Sequence, residues 1–185
     1  MKNNAKLSTK TIAQIGMFTA VIAVLSQISF PLPSGVPVTL QTFAVALAGY
    51  VLGAKYGAYS TAIYIALGAV GAPVFAGFSG GPGFITSLSG GFIWGFLFLA
   101  FFCGLGITKS SKVIANAFGI VGLIICHVLG VLQFSLVAKT NLIAAFTAVS
   151  VPYLIKDVLS LIIAYGIALQ IRRALRASNL MEERA

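Results

Sequence analysis

Two long stretches without a charged side chain dominate this sequence: residues 11–54, which is 44 residues, and residues 56–108, which is 53. One membrane crossing needs about 20 apolar residues. Each stretch is therefore long enough for two crossings and must turn back on itself. The turns are marked by residues that break helices. Pro31, Pro33, Gly35 and Pro37 interrupt the first stretch. Gly71-Ala72-Pro73 and the run Gly77–Gly83, with Pro82 inside it, interrupt the second. Residues 113–138 supply one further apolar segment and roughly 152–172 the last. The expected count is six spans, or five if Thr39–Ala54 is re-entrant. Composition agrees: 8% of residues are charged and the mean hydropathy is +1.03, against about 25% charged in a soluble domain. The expected architecture is an all-α integral membrane protein, a six-helix bundle forming one domain over residues 1–185.

Lys and Arg orient such a chain, because cytoplasmic loops retain them. With six spans, both tails share a side with the turns at Lys55 and Thr108–Lys112. That side collects Lys2, Lys6, Lys10, Lys55, Lys109, Lys112, Arg172, Arg173, Arg176 and Arg184. The other side holds Lys139 and Lys156. The bias places both termini in the cytoplasm, and an odd count would scramble it. The net charge of +9 thus reflects orientation. The basic residues form no face interleaved with aromatics, so nucleic acid is not an expected partner. The apolar run after Lys10 extends to Phe30, too long for an ordinary signal peptide, and reads as an uncleaved first helix.

Chemistry-bearing residues are few. From residue 11 to residue 171 the only acid is Asp157, beside Lys156. A charge at the centre of a membrane helix costs about 2.5–3.5 kcal/mol, so such residues are retained for a purpose. His127 is the only histidine and reads as a polar contact between helices. Cys103 and Cys126 lie in apolar runs without a CxxC pattern, and no metal site is expected. HExxH is absent, and one acid with one histidine leaves little for a hydrolase. The segment Gly104–Ser110 lacks the glycine that a P-loop requires before Lys109, because Thr108 stands there. Any ATP-driven work must come from a partner.

Three polar clusters follow the three outer connections: Thr39, Gln41 and Thr42; Ser87 and Ser89; Lys156 and Asp157. They can converge if the second, fourth and sixth spans are neighbours. Phe30, Phe78, Phe84, Phe92, Trp94 and Tyr153 lie at similar depth and could wall the space. Apolar walls with a few convergent polar groups define a small-molecule site. The long outer connections Pro31–Val38, Gly71–Phe84 and Lys139–Val151 suggest a pocket opening outward. Small residues at four-residue spacing recur, as in Gly16/Ala20, Thr19/Ala23, Gly49/Gly53/Gly57 and Gly91/Gly95, and allow close helix packing.

The run Val36-Pro-Val-Thr-Leu-Gln-Thr-Phe-Ala44 resembles the signature of the BioY family, the biotin-binding S components of energy-coupling-factor (ECF) vitamin transporters. The similarity continues through Leu47-Ala-Gly49, Leu67–Ala76, Ser79–Gly83, Gly90-Gly-Phe92 and Gly95-Phe96. The resemblance implies a six-helix protein of the cell membrane that binds biotin from outside. It would be a subunit without enzymatic activity or cofactor, its transported ligand biotin. Its partners would be a transmembrane coupling subunit and two ATPase subunits. It also implies that Gly16, Ala20 and Ala23 on the first helix meet the coupling subunit.

The sequence departs from the family at one place. The family commonly carries a lysine three residues after the acid, whereas here Ser160 follows Asp157 and the lysine is Lys156. Adjacent helical residues diverge by about 100°, so the two need not face one site. Biotin offers two ureido N–H donors, a carbonyl, an apolar thioether ring and a carboxylate. Asp157 is expected to accept a ureido N–H. Lys156 is expected to neutralise Asp157 or meet the ligand carboxylate. Gln41, Thr42 and Ser89 are candidates for the remaining polar contacts, with Tyr153, Phe92 and Trp94 as walls. Gly80 and Gly81 belong to an outer loop that could close over the ligand, since glycine allows close backbone approach.

Overall fold

The structure is a computed structural model that describes residues 8–109 and 111–180. Lys2, Lys6 and Arg184 of the charge count lie outside the described residues. Among the described residues, seven α-helices carry the fold. They are α1 (Thr9–Ser26), α2 (Gln41–Ala69), α3 (Pro82–Ile85), α4 (Gly90–Gly106), α5 (Lys112–Val137), α6 (Leu142–Val149) and α7 (Val151–Ala177). Of these, α1, α5 and α7 are each long and apolar enough to cross a membrane, and α4 is a shorter apolar helix.

The expected turn at Lys55 is a reversal at Gly53 within α2, whose two halves fold back on each other so that Gln41 bonds to Tyr64 at 2.7 Å. Gly53 adopts φ 81° and ψ 173°, a region open only to glycine. The reversal leaves the carbonyls of Tyr50 and Val51 without their helical donors. Arg172 of α7 donates to both, at 3.3 and 2.7 Å. At the same end Lys10 donates to the Asn179 carbonyl at 3.1 Å, so basic residues of α1 and α7 gather there with the reversal.

Glycine faces bring the central helices together. Gly49 of α2 packs on Ala100 and Cys103 of α4, and Gly91 and Gly95 of α4 pack on Leu129 and Cys126 of α5. Tyr50, Tyr64, Phe75, Leu99 and Leu161 are fully buried in the resulting core. The outer surface is apolar as well. On α5, Val121, Ile124, Val128, Leu132 and Leu136 are exposed at spacings of three and four, a stripe suited to lipid rather than water.

Two details differ from an all-helical expectation. The chain after α1 reverses through a short antiparallel pair, β1 (Ser29–Phe30) with β2 (Val38–Thr39), in which Ser29 faces Thr39. The prolines between them, which cannot donate backbone N–H, shape the turn. The connection after Lys139 contains α6, started by the Asn141 side chain accepting from Ala144 N–H at 2.8 Å. Its buried Ala145 and Val149 pack with Val36, Val131, Phe134 and Tyr153 in a second small core.

Candidate functional site

The turn around β2, the starts of α2 and α4, and the first two turns of α7 enclose a cavity. Its polar lining is Thr39, Gln41, Thr42, Ser89, Tyr153, Lys156 and Asp157. Val36, Pro37, Ala76, Phe84, Phe92, Ile93 and Phe96 complete the wall. The space between them, with the open solvent at its mouth included, is about 490 Å³.

Helical phase sets the floor. On α7, Tyr153, Asp157, Ser160, Leu161, Ala164 and Ala168 form the buried face. Asp157 is 4% exposed. Its Oδ2 lies 3.2 Å from His127 Nε2 of α5. Its Oδ1 lies 2.5 Å from Lys156 Nζ. That ammonium sits beside Oδ1 as an ion pair and compensates its charge. Lys156 also donates to the Thr39 carbonyl at 2.9 Å. The one-residue spacing does not separate the pair, because the long lysine stem reaches back along the helix rim.

Gln41 is held at both ends of its amide. It donates to the Tyr64 hydroxyl at 2.7 Å and accepts from Thr39 Oγ1 at 2.8 Å. One donor and one acceptor position remain. The Tyr153 hydroxyl donates to the Val36 carbonyl and lies 3.3 Å from Ser34 Oγ, tying the proline-rich turn to α7. Phe84 stacks on buried Phe75 at 5.1 Å between centroids. Phe92 meets the His127 ring edge-on at 5.6 Å.

The other expected residues stand elsewhere. Trp94 is 45% exposed and borders a separate apolar groove with Ile85, Leu129 and Gln133. It is not a wall of the cavity, because the helical phase that turns Phe92, Ile93 and Phe96 inward turns Trp94 out. Gly80 and Gly81 also lie off the cavity lining. Gly81 bonds through its N–H to the Gly68 carbonyl at 2.6 Å and starts α3 at φ 93°. Phe30 and Phe78 point outward, 66% and 71% exposed. On α1, Gly16 and Ala20 are exposed while Ala23 is half-buried against the core. His127 is the contact between helices expected of it, but its link to Asp157 spans 30 positions and leaves no pattern in the sequence.

A helical membrane fold with one polar-floored cavity defines a class of solute-binding membrane protein. It matches, with a TM-score of 0.82 and 27% identity, the crystal structure at 2.1 Å of the S-component for biotin from an ECF-type ABC transporter, covering 94% of this chain and 95% of that one. The BioY family model matches residues 1–177, and the chain belongs to the BioY family. Relatives include the biotin transporter BioY of Thermotoga maritima, 39% identical over 165 residues, with 89% of this chain and 96% of that protein covered. The biotin transporter BioY of Rhodobacter capsulatus is 37% identical over 168 residues, covering 83% of this chain and 88% of that protein.

Proposed function

We propose that this chain is the biotin-binding subunit of an ECF transporter in the cell membrane. It is not an enzyme and needs no cofactor; biotin is the cargo. Residues 1–185 form one domain with six crossings: α1, the two halves of α2, α4, α5 and α7. Both termini face the cytoplasm, in keeping with the Lys and Arg bias, and the cavity opens outward. A coupling subunit docks on α1 through Gly16, Ala20 and Ala23, and two ATPase subunits supply the driving energy. No nucleic acid is involved, and the lipid bilayer is the remaining partner.

The observation that carries this reading is the convergence of Asp157, Lys156, Gln41, Thr42 and Ser89 on one apolar-walled cavity. Asp157 Oδ1, buried beside the Lys156 ammonium, suits a ureido N–H, and a charge-assisted bond of this kind is among the stronger ones. Phe84, Phe92 and Tyr153 suit the thioether ring and its chain. Radiolabelled biotin binding to the purified protein tests the reading, with riboflavin and thiamine as competitors. Displacement by unlabelled biotin alone supports it. Displacement by another vitamin instead rejects the assigned ligand.

A further inference from the structure

The His127 ring has a partner on each nitrogen, and neither partner is the cavity itself. Nδ1 lies 2.9 Å from Ser150 Oγ at the junction of α6 and α7, and Nε2 lies 3.2 Å from Asp157 Oδ2. Ser150, His127 and Asp157 are 0%, 6% and 4% exposed. Phe92, which lines the cavity, covers the ring edge-on. His127 therefore stands behind the wall of the site.

The directions of these bonds follow from the groups. An ionised carboxylate only accepts, so Nε2 carries the hydrogen. In the neutral ring Nδ1 then offers its lone pair, and the Ser150 hydroxyl donates to it. The three residue types are those of a hydrolase triad, but the order in space is reversed. The carboxylate borders the cavity and the serine is sealed at the far end, so the serine cannot act as a nucleophile toward a ligand. What the chain of bonds can do is fix the carboxylate. A carboxylate is free to turn about its Cβ–Cγ bond unless one oxygen is held. Here Oδ2 is held on the side of α5, which leaves Oδ1 turned toward Lys156.

We propose that His127 is a positioning residue for ligand recognition, holding Asp157 Oδ2 so that Oδ1 faces the ligand, with Ser150 setting the tautomer. This rests on the reading of Asp157 as an acceptor for a ligand N–H. The buried hydrogen bonds of such outer partners orient the groups that touch the ligand, and their loss typically costs tenfold or more where it has been tested at metal sites.

The chain has a single histidine, so protein purified without a histidine tag and labelled with ¹⁵N-histidine reports this ring alone. The expected spectrum has hydrogen on Nε2 and none on Nδ1, and Asp157→Asn alters it. Hydrogen on Nδ1 alone overturns the proposal. In biotin titrations, His127→Leu should bind roughly tenfold more weakly. His127→Gln, whose amide nitrogen can take the place of Nε2, should recover most of that loss. Adding His127→Leu to Asp157→Asn should cost nothing further. Equal defects for the Leu and Gln variants, or losses that multiply with Asp157→Asn, would mean that the ring only fills space. Should His127→Leu fail to fold, Ser150→Ala carries the test. Hydrogen shared between the two nitrogens and weaker biotin binding are then expected, and an unchanged spectrum and affinity overturn the proposal. Wild-type protein that binds no biotin rejects the assigned ligand, and the spectrum then decides the role of His127 by itself.

Discussion

Lys156 and Asp157 are consecutive in α7, yet the lysine Nζ lies 2.5 Å from the carboxylate Oδ1. Asp157 belongs to the buried face of the helix, and Lys156 stands at its edge with 28% of its side chain exposed. The ammonium therefore reaches the carboxylate from the rim and also grips the Thr39 carbonyl at 2.9 Å. One cation closes two gaps: it balances the buried acid and it fastens the end of β2 over α7.

With its ammonium held in this way, Lys156 is expected to act on Asp157 rather than on a ligand carboxylate. Lys156→Met should lower thermal stability, by less than the roughly 3–5 kcal/mol typical of breaking a fully buried pair, because the lysine is partly solvated. Biotin should bind more weakly. The affinity ratio of biotin to its carboxyl-amide should equal that of the wild type, measured by calorimetry with both ligands. A ratio that falls toward one in the variant would assign Lys156 to the ligand carboxylate.

The glycines divide into two kinds. A Cβ at Gly95 would meet Cys126 Cβ at 2.9 Å and Sγ at 2.8 Å, whereas one at Gly16 meets nothing within 4 Å. Gly95→Val should cost about 1–3 kcal/mol through overpacking between α4 and α5, seen as a lower melting temperature. Gly16→Leu should fold and bind biotin as the wild type does, yet lose biotin uptake in cells that carry the coupling module. Normal uptake by Gly16→Leu would remove α1 from the partner interface.

At Gly53 space is free but the backbone is not. No atom lies within 4 Å of a built Cβ, and φ is 81°. Gly53→Ala should therefore destabilise by about 1–3 kcal/mol from backbone strain alone. Thermal denaturation in detergent checks this, and an unchanged melting temperature would show that the reversal accepts a side chain at this φ without cost.

Trp94 lies outside the cavity, so Trp94→Phe should leave biotin affinity unchanged in a radioligand assay. A large loss would place the indole against the ligand.

Much of this arrangement was legible in the residues. The prolines and glycines at 31–37 and 71–83 marked the real reversals, and each of the three polar clusters puts residues into one cavity, Ser87 alone lying off its lining. The turn expected at Lys55 is the reversal at Gly53, two residues away. Three things were not legible. The short helix α6 escaped notice since a connection counted by its charges shows only its ends. Phe92 and Trp94 looked alike at similar depth, but two residues are about 200° around a helix, enough to put one inside and the other out. The His127–Asp157 bond is tertiary, and no local pattern announces it.

The central claim is that the buried Asp157 carboxylate receives the ligand. Calorimetric titration of biotin into the purified wild-type and Asp157→Asn proteins tests it most directly. The variant keeps the shape of the side chain but loses its charge and one acceptor oxygen. The account predicts saturable binding by the wild type and more than tenfold weaker binding by the variant, since hydrogen bonds to charged groups contribute about 1.5–3 kcal/mol. A folded Asp157→Asn protein with wild-type affinity would contradict it.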